Sequence, residues 1–381
     1  MNKTYDICVV GGGIVGLWTA RHLLAAGARV VLIERDRCGA GASGGVLGAL
    51  MAHAPDNWNA KKQFQFDALT ELPAVIEELE TATGLGAGYA RCGRLMPIRR
   101  ETFRAQAQRR AAAAEQVWHA GARSFAYHIE QQAPADNWLD RDCAPLGVIN
   151  DTLAARIDPV RYMAALRHAV DARGALRENC TFERFDAPQG KVYCSGITAP
   201  IRAGQVVLTA GYQTFDIVAR MINLQLGGGI KGQAALLRCP QAAGQPLIYD
   251  DGVYIVPHDD GLCAVGSTSE KQWDDPSRPD MDRTDFLDRA RELCPPLREA
   301  PVLRRWAGVR PRCLRTDPMI GRLQPETPIW VATGGYKITF GIAHRMARRI
   351  SEEMSGSPAT VALPPTFEPQ HHLEAAANSS S

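Results

Sequence analysis

The stretch YDICVVGGGIVG, residues 5–16, decides the fold of this chain. Tyr5 to Val10 is a short run of β-forming residues, and it predicts a buried strand. A glycine-rich turn and a helical segment follow, and Gly27 stands where a helix commonly ends. A second apolar run, Arg29 to Ile33, predicts another buried strand. The strand–helix–strand unit takes about thirty residues, which is the length that a parallel crossover requires.

The glycines of this stretch form the pattern Gly11-x-Gly13-x-x-Gly16. The first permits the tight turn, the second allows backbone to approach a pyrophosphate, and the third allows the helix to pack on the strand. The helix then presents unpaired N–H groups to phosphates. Glu34 lies 18 residues after Gly16, where a carboxylate can bind ribose hydroxyls. The pattern predicts an adenine dinucleotide, either NAD or FAD; the alternative is a tight turn followed by a solvated glutamate.

A second stretch, Gly227 to Gly232, matches the same glycine pattern, and Asp250 again follows 18 residues later. The helix that a nucleotide site needs is interrupted here by Pro240, Gly244 and Pro246. We therefore interpret this stretch as a flexible crossover between domains and not as a second nucleotide site.

The composition limits the classes of protein to which the chain can belong. At 381 residues and 41.4 kDa, the chain is long enough for two or three domains. Its 43 basic residues nearly balance 41 acidic ones, so the charge indicates neither a nucleic-acid partner nor an anionic membrane surface. No apolar stretch resembles a spanning helix, so no integral membrane segment is expected. Ten cysteines without a C-x-x-C pair argue against a zinc site and favour the reducing cytoplasm.

Several downstream segments have the spacing of amphipathic helices. We expect helices at residues 60–82, 101–120, 158–172, 282–293 and 340–354. Short strands and turns are expected between 224 and 270. The Ala/Ser-rich end of the chain predicts a flexible tail over residues 366–381.

Four later segments combine small residues with turns, as required where backbone lies along a pyrophosphate and a flavin ring. They are Ala42–Gly48, Val207–Gly211, Trp306–Pro311 and Ala332–Lys337. These segments favour FAD over NAD. With the first glycine motif, Tyr-x-Val-Pro at 254–257 and Gly-Ser-Thr at 266–268, they form an ordered set of motifs. Their order resembles that of the D-amino-acid-oxidase-like FAD-dependent oxidoreductases, and glycine-oxidase-like members are nearest. The resemblance extends from Tyr5 to about Glu353.

This resemblance implies an α/β fold. It consists of a glutathione-reductase-type, Rossmann-like FAD-binding domain and a second domain with a mostly antiparallel, mixed β-sheet. The implied FAD-binding domain is discontinuous and takes residues 1–88, 145–222 and 312–365. The implied substrate-binding domain takes residues 89–144 and 223–311.

The resemblance also implies roles for three residues near the reacting carbon. Arg310, in the Gly-x-Arg-Pro motif, would bind a substrate carboxylate, because a guanidinium can hold a carboxylate bidentately. Tyr254 would hydrogen-bond the same carboxylate. Lys337 stands where glycine oxidases have an arginine, close to the flavin pyrimidine edge, where a cation stabilises the reduced ring. The structural alternatives are an interdomain salt bridge for Arg310, a core aromatic for Tyr254 and a solvated lysine for Lys337.

The FAD site that the resemblance implies is non-covalent and draws on segments scattered along the chain. Its expected residues are Gly11, Gly13, Ile14, Val15, Gly16, Glu34, Arg35, Ala42, Ser43, Gly48, Phe182, Ala210, Gly211, Arg310, Gly335, Tyr336, Lys337, Ile338 and Thr339.

The implied reaction is hydride transfer from a small amine, amino acid or hydroxy acid to flavin N5. The electron acceptor is left open between O2 and a quinone or carrier protein, and a monomer is sufficient. Ser269, Glu270 and Lys271 stand where glycine oxidase has a methionine and its neighbours, which leaves the substrate open. The run Gly-Gly-Tyr-Lys-Ile-Thr at 334–339 also resembles the Gly-Lys-x-Thr segment of FAD-dependent glycerol-3-phosphate dehydrogenases, so oxidation of a polyol phosphate is one alternative. A catalytically silent FAD-binding protein is another.

One cysteine and several histidines are weighed as further ligands. Cys313 lies where sarcosine oxidases attach flavin, but the surrounding pattern differs. His53 could face the ring or pack in a loop. His258 and the pair at 371–372 lack partners at metal-ligand spacing, so no metal is expected.

Overall fold

A computed structural model describes residues 4–379. The helices of this range are α1 (Ile14–Ala25), α2 (Ala60–Thr83), α3 (Glu101–Val117), α4 (Pro159–Asp171), α5 (Gln213–Ile222), α6 (Asp285–Leu293), α7 (Thr339–Ser355) and α8 (Pro369–Ser379). All five predicted helices are present; the helix expected to reach residue 120 ends at Val117, because His119 and Ala120 form a strand. Within the described range, no helix combines the length and apolarity needed to cross a membrane.

Most strands of the described range belong to two large sheets. They are β1 (Thr4–Val10), β2 (Val30–Ile33), β3 (Ala49–Leu50), β4 (Arg94–Pro97), β5 (His119–Ala120), β6 (Arg123–Ser124), β7 (Tyr127–Glu130), β8 (Val148–Asp151), β9 (Ala155–Arg156), β10 (Leu176–Arg177), β11 (Thr181–Asp186), β12 (Lys191–Ser195), β13 (Ile201–Leu208), β14 (Gly227–Arg238), β15 (Leu247–Asp250), β16 (Val253–Pro257), β17 (Leu262–Gly266), β18 (Val302–Cys313), β19 (Met319–Arg322) and β20 (Ile329–Thr333).

The first sheet contains the predicted strand–helix–strand unit. Its order is β10-β2-β1-β13-β12-β11, and β20 pairs with β13. The strands β10, β2, β1, β13 and β20 run parallel, and α1 connects β1 to β2. Helix α1 also packs against α4, where the indole of Trp18 donates a 2.7 Å hydrogen bond to the hydroxyl of Tyr162. The carboxyl ends of β1, β2, β13 and β20 meet at one edge, the position at which such sheets bind ligands.

The second sheet is mixed, as expected, with the order β18-β14-β17-β16-β15-β4-β8-β7. Its neighbouring strands are antiparallel except for β15 and β4. The stretch Gly227–Gly232 opens β14, which pairs with β18 along its length. The expectation of a flexible crossover is therefore wrong. The sequence did not indicate this strand because glycines have no side chains. The alternation of apolar and polar residues that predicts a half-buried strand is therefore missing here.

Two further expectations need correction. Strand β8 pairs with β4 and β7 in the second sheet, so the boundary expected at residue 145 comes too early. With that change, we propose that the two domains follow the two sheets. The tail expected to be flexible over 366–381 contains α8, in which His372 is buried and donates to the carbonyl of Pro318. Small alanines at 375 and 376 are buried in this helix, and apolar packing outweighs the disorder that the composition suggests; residues 1–3 and 380–381 lie outside the described residues.

Candidate active site

A cavity of about 630 Å³ lies between the carboxyl edge of the first sheet and strands β14, β16 and β18 of the second. Every predicted catalytic and cofactor-binding residue lines this cavity except Gly16. The structure thus brings together segments that lie more than three hundred residues apart in the sequence, from Gly11 to Thr339.

The first glycine motif is shaped by close backbone contacts. Gly11 has φ +107°, and a side chain there would meet Ala210 Cα at 2.7 Å. A Cβ on Gly16 would overlap the carbonyl oxygen of Gly11, so Gly16 acts by packing below the cavity surface and not by lining it. Both contacts keep the start of α1 close to the ends of β1 and β13, and this closeness creates the cradle at the helix N-terminus.

Polar groups at this end are already oriented. The hydroxyl oxygen of Ser43 accepts a 3.0 Å hydrogen bond from the Ile14 N–H in the first turn of α1. Glu34, at the end of β2, accepts from the N–H of Gly12 at 2.7 Å and from that of Asp36 at 3.0 Å. Helix-terminal N–H groups, small residues and a carboxylate at the strand end together fit the pyrophosphate and ribose of an adenine dinucleotide.

The cavity lining also includes residues that are not among the predicted site residues. Trp306 lines it, and added side chains at Gly45 and Gly308 would meet its indole ring. Gln65 also lines it, buried on α2, and donates to the carbonyl of Met51 at 2.9 Å. The sequence could have indicated Gln65 as a site residue, because it stands between Phe64 and Phe66 in a predicted helix. A polar side chain on a buried helix face needs a hydrogen-bond partner.

The substrate end is organised around Arg310 on β18. Its Nη1 donates to the hydroxyl oxygen of Ser267 at 3.1 Å, and its Nη2 donates to the carbonyl of Thr268 at 2.6 Å. Its buried Nε has no hydrogen-bond partner among the described residues. Gly232, on the neighbouring β14, leaves the room for the guanidinium, since a Cβ there would overlap it. Burial lowers the pKa of Arg310, and the nearby Tyr336, Tyr254 and Glu270 oppose that shift.

Lys337 and two tyrosines complete this end. The ammonium of Lys337 lies 5.4 Å from the ring centre of Tyr254 and 5.9 Å from that of Tyr336. Partial desolvation, together with the charge of Arg310, lowers the pKa of Lys337 to about 8. Burial, and next the neighbouring Tyr249, raise the pKa of Tyr254 to about 12. Within residues 4–379, no carboxylate lies within ion-pair distance of Arg310 or Lys337, and the charge of Glu270 acts on Arg310 only from further away.

The remaining candidates lie outside the cavity lining. His53 lies against Gln65, whose side-chain oxygen accepts from the backbone N–H of His53 at 2.8 Å. Cys313 is buried against Gly334, and burial raises the pKa of its thiol to about 12. The described residues hold no cluster of His, Cys, Asp and Glu that could bind a metal, and the ten cysteines, all within the described range, are free.

A Rossmann-like sheet whose carboxyl edge faces a second, mixed sheet across a cavity is the arrangement of a class of dinucleotide-dependent oxidoreductases. Within that class, residues 6–352 match the family model described as DAO, FAD dependent oxidoreductase. The chain belongs to this family, so the expected resemblance, α/β fold, FAD cofactor and enzyme class are confirmed.

Known relatives cover nearly the whole chain. A glycine oxidase of Pseudomonas putida is 25% identical over 406 residues, spanning 97% of this chain and 99% of the relative. The crystal structure of glycine oxidase from Geobacillus kaustophilus has a TM-score of 0.83 and 23% identity, covering 95% of this chain and 97% of that one. Iminodiacetate oxidase from Chelativorans sp. also has a TM-score of 0.83, at 22% identity, covering 96% and 99%. These two structures show that the fold is shared.

Proposed function

We propose that the protein is a glycine-oxidase-like enzyme that oxidises a small amine, amino acid or hydroxy acid bearing a carboxylate. The observation that carries this proposal is the pair of cations without ion-pair partners, Arg310 and Lys337, at one end of the cavity. A cation that is partly removed from water without an anion is unfavourable. A substrate carboxylate would supply that anion.

Bound FAD supplies the hydride acceptor of the reaction. The chain has to bind the carboxylate and hold the α-carbon in one orientation, and this positioning accounts for much of the rate in such reactions. Arg310 offers a planar donor fork, Tyr254 offers a hydroxyl that stays protonated at neutral pH, and Lys337 offers a charge. An amine substrate requires no side-chain nucleophile, because its neutral form can donate hydride directly.

The similarity to a glycine oxidase over 97% of the chain supports the amine or amino-acid class. We propose O2, a quinone or a carrier protein as the acceptor, and the free cysteines fit a cytoplasmic location. The cavity is formed within one chain, so a monomer is sufficient for the proposed activity.

The decisive experiment is anaerobic reduction of the purified yellow holoenzyme. Glycine, sarcosine, D- and L-amino acids, 2-hydroxy acids and glycerol phosphate are each added, and flavin bleaching is followed. Bleaching by carboxylate substrates supports the proposal. Bleaching by glycerol phosphate alone would reverse it in favour of polyol-phosphate oxidation, for which a pair of cations is also suited. A flavin that none of these compounds reduces would indicate a silent FAD-binding protein.

Arg310→Ala tests the carboxylate site directly. We expect it to keep FAD and to lose at least about 30-fold in kcat/KM, because removing one partner of a buried charged contact costs roughly 2–5 kcal/mol. Arg304→Ala is the matched control, since Arg304 is an exposed arginine of the same strand. Wild-type reduction by Arg310→Ala would remove this residue from the site.

A further inference from the structure

The segment 267–280, here called the strap, leads from β17 past Arg310 and along the cavity. Its first residues, Ser267 and Thr268, accept two of the hydrogen bonds of the Arg310 guanidinium. Further along, Pro276 and Ser277 line the cavity. The orientation of Arg310 therefore depends on where the strap lies.

Two long side chains of β14 fasten the strap. The Lys231 ammonium donates to the carbonyl oxygens of Asp275 at 2.9 Å and Arg278 at 2.8 Å. Lys231 is only 5% exposed, and within residues 4–379 it forms no ion pair. An ammonium has three donors and no acceptor, so it is suited to joining two carbonyl groups that no backbone partner satisfies.

Gln233 lies two residues further along β14, on the same face of the strand. Its side-chain amide donates to the carboxylate of Glu270 at 2.8 Å, and its side-chain oxygen accepts from the N–H of Asp280 at 2.7 Å. Its backbone N–H donates to the hydroxyl of Thr268 at 3.0 Å. At 2% exposure, Gln233 is buried with all these contacts.

The backbone of β14 joins the same network. Lys231 and Glu270 exchange backbone hydrogen bonds of 2.9 Å in both directions. The Lys231 carbonyl also lies 3.5 Å from Nη2 of Arg310. One strand residue thus contacts both the guanidinium and the segment that holds it.

We propose that Lys231 and Gln233 are positioning residues, which fasten the strap and thereby aim the Arg310 guanidinium at the substrate carboxylate. This inference rests on the proposed function, because it assigns the carboxylate to Arg310. It also gives a role to the second glycine-rich stretch: Gly232 provides the space for the guanidinium, and its two neighbours hold the guanidinium in place.

The test is a double-mutant cycle on the holoenzyme, with acetate as the probe and its binding followed by the change in the flavin absorption spectrum. Lys231→Met removes the ammonium at similar length and is expected to raise the acetate Kd roughly tenfold, the loss typical of one charge-assisted hydrogen bond. In the Arg310→Ala background, Lys231→Met is expected to have no further effect. Lys271→Met is the matched control, since Lys271 is an exposed lysine of the strap itself.

The outcomes separate the two proposals. If Arg310→Ala leaves acetate binding unchanged, both the carboxylate site and the positioning role are wrong. If Arg310→Ala weakens binding while Lys231→Met does not, or if the two losses add in the double variant, only the positioning role is wrong. If Lys231→Met does not retain FAD, Gln233→Leu replaces it in the double-mutant cycle. Gln233→Leu removes the contacts to Glu270 and Asp280 and leaves Lys231 in place.

Discussion

The two ends of the cavity are built from different materials. At the dinucleotide end, glycines and backbone N–H groups of one short segment form the cradle, with Glu34 and Ser43 as its oriented side chains. At the substrate end, side chains such as Arg310 converge from separate strands and a strap. At the dinucleotide end, an added side chain is expected to collide with backbone and abolish FAD binding. At the substrate end, each substitution is expected to remove one contact and to reduce activity by a limited factor. The second glycine-rich stretch belongs to the substrate end, although its pattern is that of the first.

Gly16→Ala is expected to have the largest effect. Its Cβ would overlap the backbone carbonyl of Gly11, which cannot move without opening the turn. We expect the purified protein to lose its yellow colour and to take up no FAD on reconstitution, as measured by absorbance. Gly228→Ala is the control from the second stretch, because a Cβ there meets nothing within 4 Å. Retention of FAD by Gly16→Ala would contradict the backbone cradle.

Gly232→Ala changes the corresponding glycine of the second stretch and is expected to act differently. The added Cβ displaces the Arg310 guanidinium, the end of a side chain, and leaves the backbone in place. We predict full FAD content with kcat/KM for the carboxylate substrate reduced roughly tenfold or more. Loss of FAD in this variant would show that the two ends are not separable.

The charge of Lys337 is expected to make carboxylate binding depend on pH. With a pKa of about 8, the ammonium is charged below that pH and neutral above it. The acetate Kd should therefore rise by roughly threefold to tenfold between pH 7 and pH 9.5, whereas Lys337→Gln should show a weak and flat profile. Spectral titrations across pH measure this. If the acetate Kd of the variant depends on pH as in the wild type, Lys337 does not bind the carboxylate, and its interpretation as a solvated lysine is favoured.

Tyr254→Phe should have the smallest effect of the series. It removes one hydroxyl and keeps the ring beside Lys337, so we expect kcat/KM to fall about twofold to tenfold, the net value of a single hydrogen bond. Tyr249→Phe is the control, because the Tyr249 ring packs at a tilt against that of Tyr254, with 4.9 Å between ring centres, but does not line the cavity. Equal losses in both variants would indicate a packing role for the tyrosine pair.

The same contrast explains which features could be predicted. The dinucleotide-binding unit could be predicted because its strand, turn, helix and Glu34 follow one another directly in the sequence. Local periodicity and turn chemistry determine these elements. The start of the long strand β14 was wrongly predicted as a flexible crossover because its glycines show no alternation of apolar and polar side chains. Its pairing partner, β18, also lies about seventy residues away in the sequence. Helix α8 was missed because its stability comes from packing against distant residues, not from its own composition.

The amino-acid sequence by itself determined the Rossmann-like unit, the order of its motifs and the cofactor class, since these depend on local backbone preferences and residue spacing. Only the tertiary structure decided that Gly232 makes room for Arg310, that Arg310 and Lys337 lack ion-pair partners, and that Lys231 holds the strap. The physical reason is that the pairing register of distant strands brings these side chains together. That register depends on which side chains of the whole sheet are buried, and not on any local stretch of sequence.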